Sequence, residues 1–329
     1  MVQSSKKYTP QRFVDEWSDS SEEVTVHTSG STGKPKILHV CKERMRASAR
    51  MTCAYLQLKA GDTALLCLST DYIAGKMMVV RAEVAHLRLL QCEPSSHPLR
   101  AIEETIDFAA MVPMQVIESL KNPVEAKRLR AIRKLIIGGG PIDSALAEVL
   151  KSFPHAVYST YGMTETLSHI AMRRLSGDQA SDAYELLPGV TIQLSAEQTL
   201  VIDAPQVCPQ RLITHDRAVL FTEKRFKILG RLDNVVNSGG LKIQIEELEK
   251  QWQSLSESDF AFTSVPHPRY GEALVLLVTG IQPTPLRFEI FPAYQRPKYC
   301  EKVSEIPRTP NGKIDRKACR QLAKKMIKA

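Results

Sequence analysis

The sequence predicts an α/β protein: a sheet covered by helices, then a small antiparallel β region, then a further small α+β unit. Three observations predict this. Between residues 24 and 137, short apolar or β-branched runs alternate with helical stretches, the pattern of a sheet with helices on its faces. Around Pro188 that pattern gives way to period-two alternation in "VTIQLSAEQTLVIDAP" and "RAVLFTEKRFKILGR", with little helix between. After Arg231 the order begins again, with a helix, a strand and a lysine-rich end.

Taken in order, residues 24–27 read as a strand feeding a glycine-rich loop, and residues 41–58 have helical composition. A buried strand follows over 63–68, a helix over 75–85 and a strand over 87–92. Residues 106–111 and 135–137 are further strands, each followed by a helical segment. Pro141, just after "GGG", stands where proline favours a helix start. Beyond Arg231, residues 245–255 suit a helix and 274–279 a strand, and the basic tail reads as a solvated helix. The expected division is therefore 1–231 and 232–329.

With 329 residues, 43% of them apolar and 24% charged, the chain can bury the core of a soluble globular protein. The longest apolar runs are too short to span a bilayer, and the N-terminus lacks the apolar core of a secretory signal. A cytoplasmic protein without membrane insertion is expected. The seven cysteines form no CxxC pair and no zinc-spaced cluster with histidine, so reduced core thiols are expected. The net charge of +8 suits a protein that handles polyanions, but the basic tail has no interleaved aromatics, which argues against nucleic acid.

The loop itself is "VHTSGSTGKPKIL", residues 26–38. A P-loop NTPase would need glycine where Thr28 stands, and serine or threonine where Pro35 follows Lys34. Both requirements fail. What remains is Thr28, Ser29, Gly30, Ser31, Thr32 and Gly33, with Lys36 downstream. The glycines let backbone N–H groups turn toward one point, the hydroxyls donate, and the lysine adds charge.

Further stretches stand in order behind it: "IIGGGPI" (136–142), "YGMTET" (161–166), "GRLDNVVNSGGLKIQIEELE" (230–249), "VPHPRYGE" (265–272) and "PRTPNGKIDR" (307–316). Together with the loop they resemble the adenylate-forming superfamily of acyl-CoA synthetases, peptide-synthetase adenylation domains and luciferases. The resemblance covers nearly the whole chain. It implies a shortened adenylate-forming N-terminal domain with a β-subdomain, followed by a small mobile C-terminal lid. It also implies ATP, Mg²⁺ and coenzyme A as cofactor and substrates.

The reaction so implied joins a carboxylate to the α-phosphate of ATP and expels pyrophosphate. Both partners are anions, so charge must be neutralised and the attack held in line, and orientation alone can supply up to roughly 7–11 kcal/mol. By resemblance the Thr28–Gly33 loop and Lys36 hold the β- and γ-phosphates, Thr164 donates to the α-phosphate and Glu165 binds Mg²⁺. Gly138, Gly139, Gly140 and Tyr161 accommodate adenine, the tyrosine by stacking. Asp216, in "THD" where the family has "TGD", and Arg231 meet the ribose. Lys313 is the catalytic lysine. Asp233 is the hinge, about which rotation would bring Gly239, Gly240 and Lys242 to the thiol of coenzyme A.

Two stretches narrow the acid. "YGMTETLSHIAMR" (161–173) and "YIAGKMMVVRA" (72–82) are similar to the o-succinylbenzoate–CoA ligases of menaquinone synthesis, which are also compact. That resemblance implies a dicarboxylate, whose distal carboxylate is costly to bury unpaired. Arg81, Lys76, Ser168 and His169 are the candidates to meet it. The alternative for Arg81 is a structural ion pair, and for His169 a place in the pocket wall or the core. Tyr72, standing where the family has His, Gly75, Ser159 and Thr160 complete the expected acyl pocket. Another aryl or acyl-CoA synthetase, a carrier-loading module and a non-catalytic nucleotide-binding protein stay open as alternatives.

Overall fold

The computed structural model describes residues 10–27, 37–256, 258–309 and 313–327. The elements run α1 (Pro10–Ser18), β1 (Glu23–His27), β2 (Ile37–Cys41), α2 (Lys42–Tyr55), β3 (Thr63–Leu66), α3 (Ile73–Val84), β4 (Arg88–Gln91) and β5 (Phe108–Met111). They continue through α4 (Pro113–Lys121), α5 (Pro123–Ala131), β6 (Lys134–Ile137), α6 (Ser144–Lys151), β7 (Ala156–Gly162), β8 (His169–Arg174), β9 (Tyr184–Leu186) and β10 (Thr191–Leu194). Next come β11 (Thr199–Ala204), β12 (Cys208–Thr222), β13 (Arg225–Arg231), β14 (Val235–Ser238) and β15 (Leu241–Gln244). The chain closes with α7 (Ile245–Trp252), β16 (Phe260–His267), β17 (Gly271–Val278), β18 (Tyr299–Lys302) and α8 (Arg316–Ile327).

Eleven strands form one sheet in the order β10-β11-β12-β13-β9-β8-β7-β6-β5-β3-β4. From β4 to β7 neighbours are parallel, and from β7 onward they are antiparallel. The antiparallel region expected near Pro188 is thus not a separate sheet: β8 pairs along the open edge of β7 and carries the ladder across.

The parallel strands are covered on both faces, which is why they read as unbroken apolar runs. Ala64, Leu66, Phe108, Ala110 and Ile136 point into a core with α1, α2 and α3. Their sequence neighbours Leu65, Ala109, Met111, Leu135 and Ile137 point the other way, into a core with α4, α5 and α6. Period two along each strand produces this division. Helix α3 is sandwiched so closely that every residue from Gly75 to Ala82 is buried, including Lys76 and Arg81. Gly75 permits the approach, since a Cβ there would stand 2.2 Å from the Ser69 carbonyl oxygen.

The second sheet begins at Val235, and β14, β15, β16, β17 and β18 build it. Here too alternation gives two cores. Phe260, Phe262, Leu274 and Leu276 meet Leu248 and Trp252 of α7, whereas Ala261, Val275 and Leu277 meet Cys319 and Ala323 of α8. The basic tail is therefore amphipathic, with small residues four apart turned inward and lysines outward.

Several boundaries differ from expectation. The stretch from 41 is helical only from Lys42, because residues 37–41 pair with β1 as a two-stranded ribbon. Pro141 does not start a helix. Asp143 caps α6 instead, accepting from Leu146 N at 2.7 Å. All seven cysteines are free, and four of them are buried.

Candidate active site

The parallel strands end along one edge of the large sheet, where α/β proteins collect their ligands. Gly138, Gly139 and Gly140 form the turn that leaves β6, and Ser159, Thr160 and Tyr161 lie at the end of β7. Ser159 is buried with Oγ 3.1 Å from the Tyr184 hydroxyl, and Thr160 donates to the Ile137 carbonyl at 3.4 Å. Tyr72 stands exposed at the start of α3.

A 3₁₀ turn over Thr164–Thr166 joins β7 to β8. Thr166 ties it, accepting from Met163 N at 3.1 Å and donating to the Ser168 carbonyl at 2.7 Å. Leu167 then takes a left-handed φ of 63°, a conformation that costs energy for a residue with a Cβ. The turn sends Thr164 and Glu165 outward and buries Thr166 and His169. Glu165 is exposed and makes no ion pair among the described residues.

Asp216 on β12 and Arg231 on β13 are register partners. Arg231 Nη1 lies 3.4 Å from Asp216 Oδ1, and the Tyr161 hydroxyl donates to Asp216 Oδ2 at 2.7 Å. Burial and the Asp216 charge push the Tyr161 phenol far up, so it stays a donor. The Tyr161 ring meets Phe226 edge-on at 5.4 Å. Arg231 also donates from Nη2 to Asp233 at 2.8 Å, and His215 Nδ1 is 2.8 Å from the other oxygen of Asp233. Burial raises the Asp233 carboxyl, but Arg231 and His215 outweigh it and hold it below the usual range.

Lys313 belongs to the same group. Its side chain is exposed by area, yet the amine is desolvated enough to be lowered, helped by the Arg231 charge and opposed by Asp216. Gly239 and Gly240 form the turn of the β14–β15 hairpin, and Lys242 lies within β15 opposite Asn237. Both glycines have positive φ, 60° and 82°, as a two-residue hairpin turn requires. None of these three hydrogen-bonds to Tyr161, Asp216 or Arg231.

Deeper in, Arg81 is 2% exposed and donates from Nη2 to Ser168 Oγ at 2.7 Å. Its Nε has no hydrogen-bond partner, and no carboxylate pairs with it among the described residues. The structural ion pair considered for Arg81 is absent on that basis. Burial lowers its guanidinium to about 10. Lys76, on the same helix, is instead committed to α1, pairing with Glu16 at 3.1 Å and lying 4.2 Å from the centre of the Phe13 ring. The phosphate-loop candidates Thr28, Ser29, Gly30, Ser31, Thr32, Gly33 and Lys36 lie outside the described residues.

Sequence reasoning missed a clasp beside Asp233. Glu246 accepts from Arg231 N at 3.2 Å and from Asn234 Nδ2 at 2.5 Å, and Gln244 donates to the Arg231 carbonyl at 2.9 Å. Both residues stood inside the motif "GRLDNVVNSGGLKIQIEELE", where they read only as the run into a helix.

The family model described as AMP-binding enzyme matches residues 4–211. The chain belongs to this family. The AMP-binding enzymes similar to it include a solved acyl-CoA synthetase (AMP-forming)/AMP-acid ligase II-like protein from Dyadobacter fermentans. That protein is 33% identical, with 98% of this chain and 96% of the other covered and a TM-score of 0.67. A 2-succinylbenzoate–CoA ligase of Bacillus mycoides is 25% identical, covering 95% of this chain and 73% of the relative. The o-succinylbenzoate coenzyme A synthetase of Bacillus subtilis, solved with ATP and a magnesium ion, is 19% identical at a TM-score of 0.74. The likeness covers 89% of this chain and 68% of that one. The protein is thus an adenylate-forming ligase with the α/β architecture of its family. Among the described residues no helix is long and apolar enough to cross a membrane.

Proposed function

We propose that the chain is a 2-succinylbenzoate–CoA ligase, activating that dicarboxylic acid with ATP and passing the acyl group to coenzyme A. The observation that carries this reading is Arg81: a buried cation on α3, bonded to Ser168 and unmatched by any carboxylate of the described residues. Leaving a charge so placed is costly unless a ligand completes it. An anionic group on the acid, distal to the reacting carboxylate, supplies the partner. Lys76 drops out of this role because Glu16 already neutralises it.

The reacting carboxylate attacks the α-phosphorus of ATP, the new C–O–P linkage forms, and pyrophosphate leaves. Asp216 accepts from the ribose hydroxyls, with Arg231 alongside, and the Gly138–Gly140 turn with Tyr161 takes the base. Thr164 donates to the α-phosphate. Mg²⁺ would be held by Glu165 together with phosphate oxygens, supplying charge neutralisation. A single exposed carboxylate free of ion pairs suits an ion that keeps most of its shell as water and phosphate. Lys313, next to Arg231 and Asp216, balances the charge that grows as the carboxylate closes on phosphorus.

In the second half-reaction residues 232–329 act as a lid that turns about Asp233. Lys313 withdraws, and Gly239, Gly240 and Lys242 come toward the adenylate, where the thiol displaces AMP. A cytoplasmic location fits substrates of this kind.

The test is pyrophosphate release from a panel of acids with ATP, Mg²⁺ and coenzyme A. 2-Succinylbenzoate is expected to outpace benzoate and octanoate, and Arg81→Ala to raise its KM at least about tenfold while sparing the KM for ATP. Faster turnover of a monocarboxylate would overturn the assignment.

A further inference from the structure

We propose that Thr52 and His169 are positioning residues, forming a buried relay that locks the Ser168 hydroxyl and, through it, Arg81 against a carboxylate of the acid substrate. The inference rests on the ligase reading above. It is carried by four hydrogen-bond contacts, and it includes one arrangement of their protons.

Arginine can only donate, so the 2.7 Å contact runs from Arg81 Nη2 to Ser168 Oγ. At the other end, Thr52 Oγ1 lies 3.1 Å from the Ser48 carbonyl, and the proposed relay places the Thr52 proton there. In that arrangement the 3.0 Å contact between Thr52 Oγ1 and His169 Nε2 runs from the imidazole to the hydroxyl. His169 therefore carries its proton on Nε2. It is buried, and burial together with the positive charge of Arg81 holds it neutral. Nδ1 is left as a bare acceptor, and at 3.3 Å it faces Ser168 Oγ, whose proton points to it.

The chain runs from Arg81 on α3, through Ser168 and His169 at the start of β8, to Thr52 and the backbone of α2. Ser168, His169 and Thr52 each have one donor and one acceptor in use, so neither hydroxyl can rotate without breaking a bond. With its hydroxyl proton fixed on His169, Ser168 can offer Arg81 only a lone pair. The guanidinium is thereby oriented, and its remaining donors are kept for the ligand. A neutral acceptor at Nδ1 suits a place beside a cation, where a second positive charge would compete for the carboxylate.

Thr52→Val keeps the volume and deletes the hydroxyl, leaving the imidazole N–H unpaired. Thr52→Ser keeps it. The valine variant is expected to raise KM for 2-succinylbenzoate roughly tenfold while KM for ATP changes less than about twofold, and serine is expected to restore it. KM for a monocarboxylate such as benzoate should not follow. An unchanged KM for the dicarboxylate, or equal losses for both acids, would overturn the proposal.

A second measurement stands apart from the substrate. Nitrogen shifts of labelled imidazole, assigned by difference with His169→Gln, should report Nε2 protonation in the wild-type protein and loss of that preference in Thr52→Val. Protonation on Nδ1 would sink the relay. Should wild type reject 2-succinylbenzoate, the ligase assignment falls, and this spectrum alone then decides the relay.

Discussion

Lys313 shows how one side chain can be tuned by its neighbours. Desolvation and Arg231 draw its proton off earlier, Asp216 pulls the other way, and the sum leaves the amine below the ordinary lysine value of 10.5. On the proposed role only the protonated form neutralises the forming adenylate. The kcat/KM for pyrophosphate exchange should therefore lose its activity on the alkaline side below pH 10.5, since that ratio reports the free enzyme. Lys313→Ala should abolish the exchange yet leave thioester formation from supplied acyl adenylate largely intact. Equal loss of both half-reactions would remove Lys313 from the adenylation step. Arg81 is the opposite case: its charge has a hydroxyl and a thioether for company, the latter at 3.8 Å, and no counter-ion among the described residues.

At the level of elements, the passage between the two sheets is held by the Gln244–Glu246 clasp. Glu246 accepts bonds from both sides of the 3₁₀ turn Leu232–Asn234, so it fixes the segment on which Asp233 sits. Glu246→Ala should expose residues 231–234 to faster cleavage in limited proteolysis, with the remainder of the chain resisting as before. An unaltered cutting rate would mean that Arg231 and His215 suffice. The clasp, like the Thr52 relay, could not be read from the sequence, because nothing local marks it. Arg81, Ser168 and His169 stood in stretches singled out for the acyl site, but Thr52 sits in an ordinary helix and only the folded chain brings it to His169. What could be read was local: "IIGGGPI", "YGMTET" and "PRTPNGKIDR" carry their chemistry within a few residues, and strands β3, β5 and β6 announce themselves by runs buried on both faces. β2 was missed because "ILHVC" is continuous with a helical stretch and becomes a strand only by pairing with β1.

Across the molecule, each of the two larger sheets separates two cores, and a buried titratable group registers in global stability through the proton it gives up on folding. His169 is such a group. Its folded form resists protonation well below the ordinary 6.5, whereas the unfolded chain takes the proton at that value. The unfolded state then binds more protons as pH falls, so stability is fully present above 6.5 and declines beneath it, by up to about 1.4 kcal/mol per pH unit. Urea midpoints measured from pH 7 to 5 should fall for wild type and flatten in His169→Gln, and parallel curves would contradict this. Beyond the clasp, the small sheet touches the large one through Lys250 of α7, which reaches Asp182 at 3.4 Å. Asp216 adds a consequence. Its two oxygens are already occupied, one by Arg231 and one by the Tyr161 hydroxyl, and Arg231 simultaneously grips Asp233. On the proposed ribose contact, a sugar diol would share that carboxylate with both. On the proposed rotation about Asp233, sugar recognition and the fastening of that joint therefore draw on one guanidinium, that of Arg231.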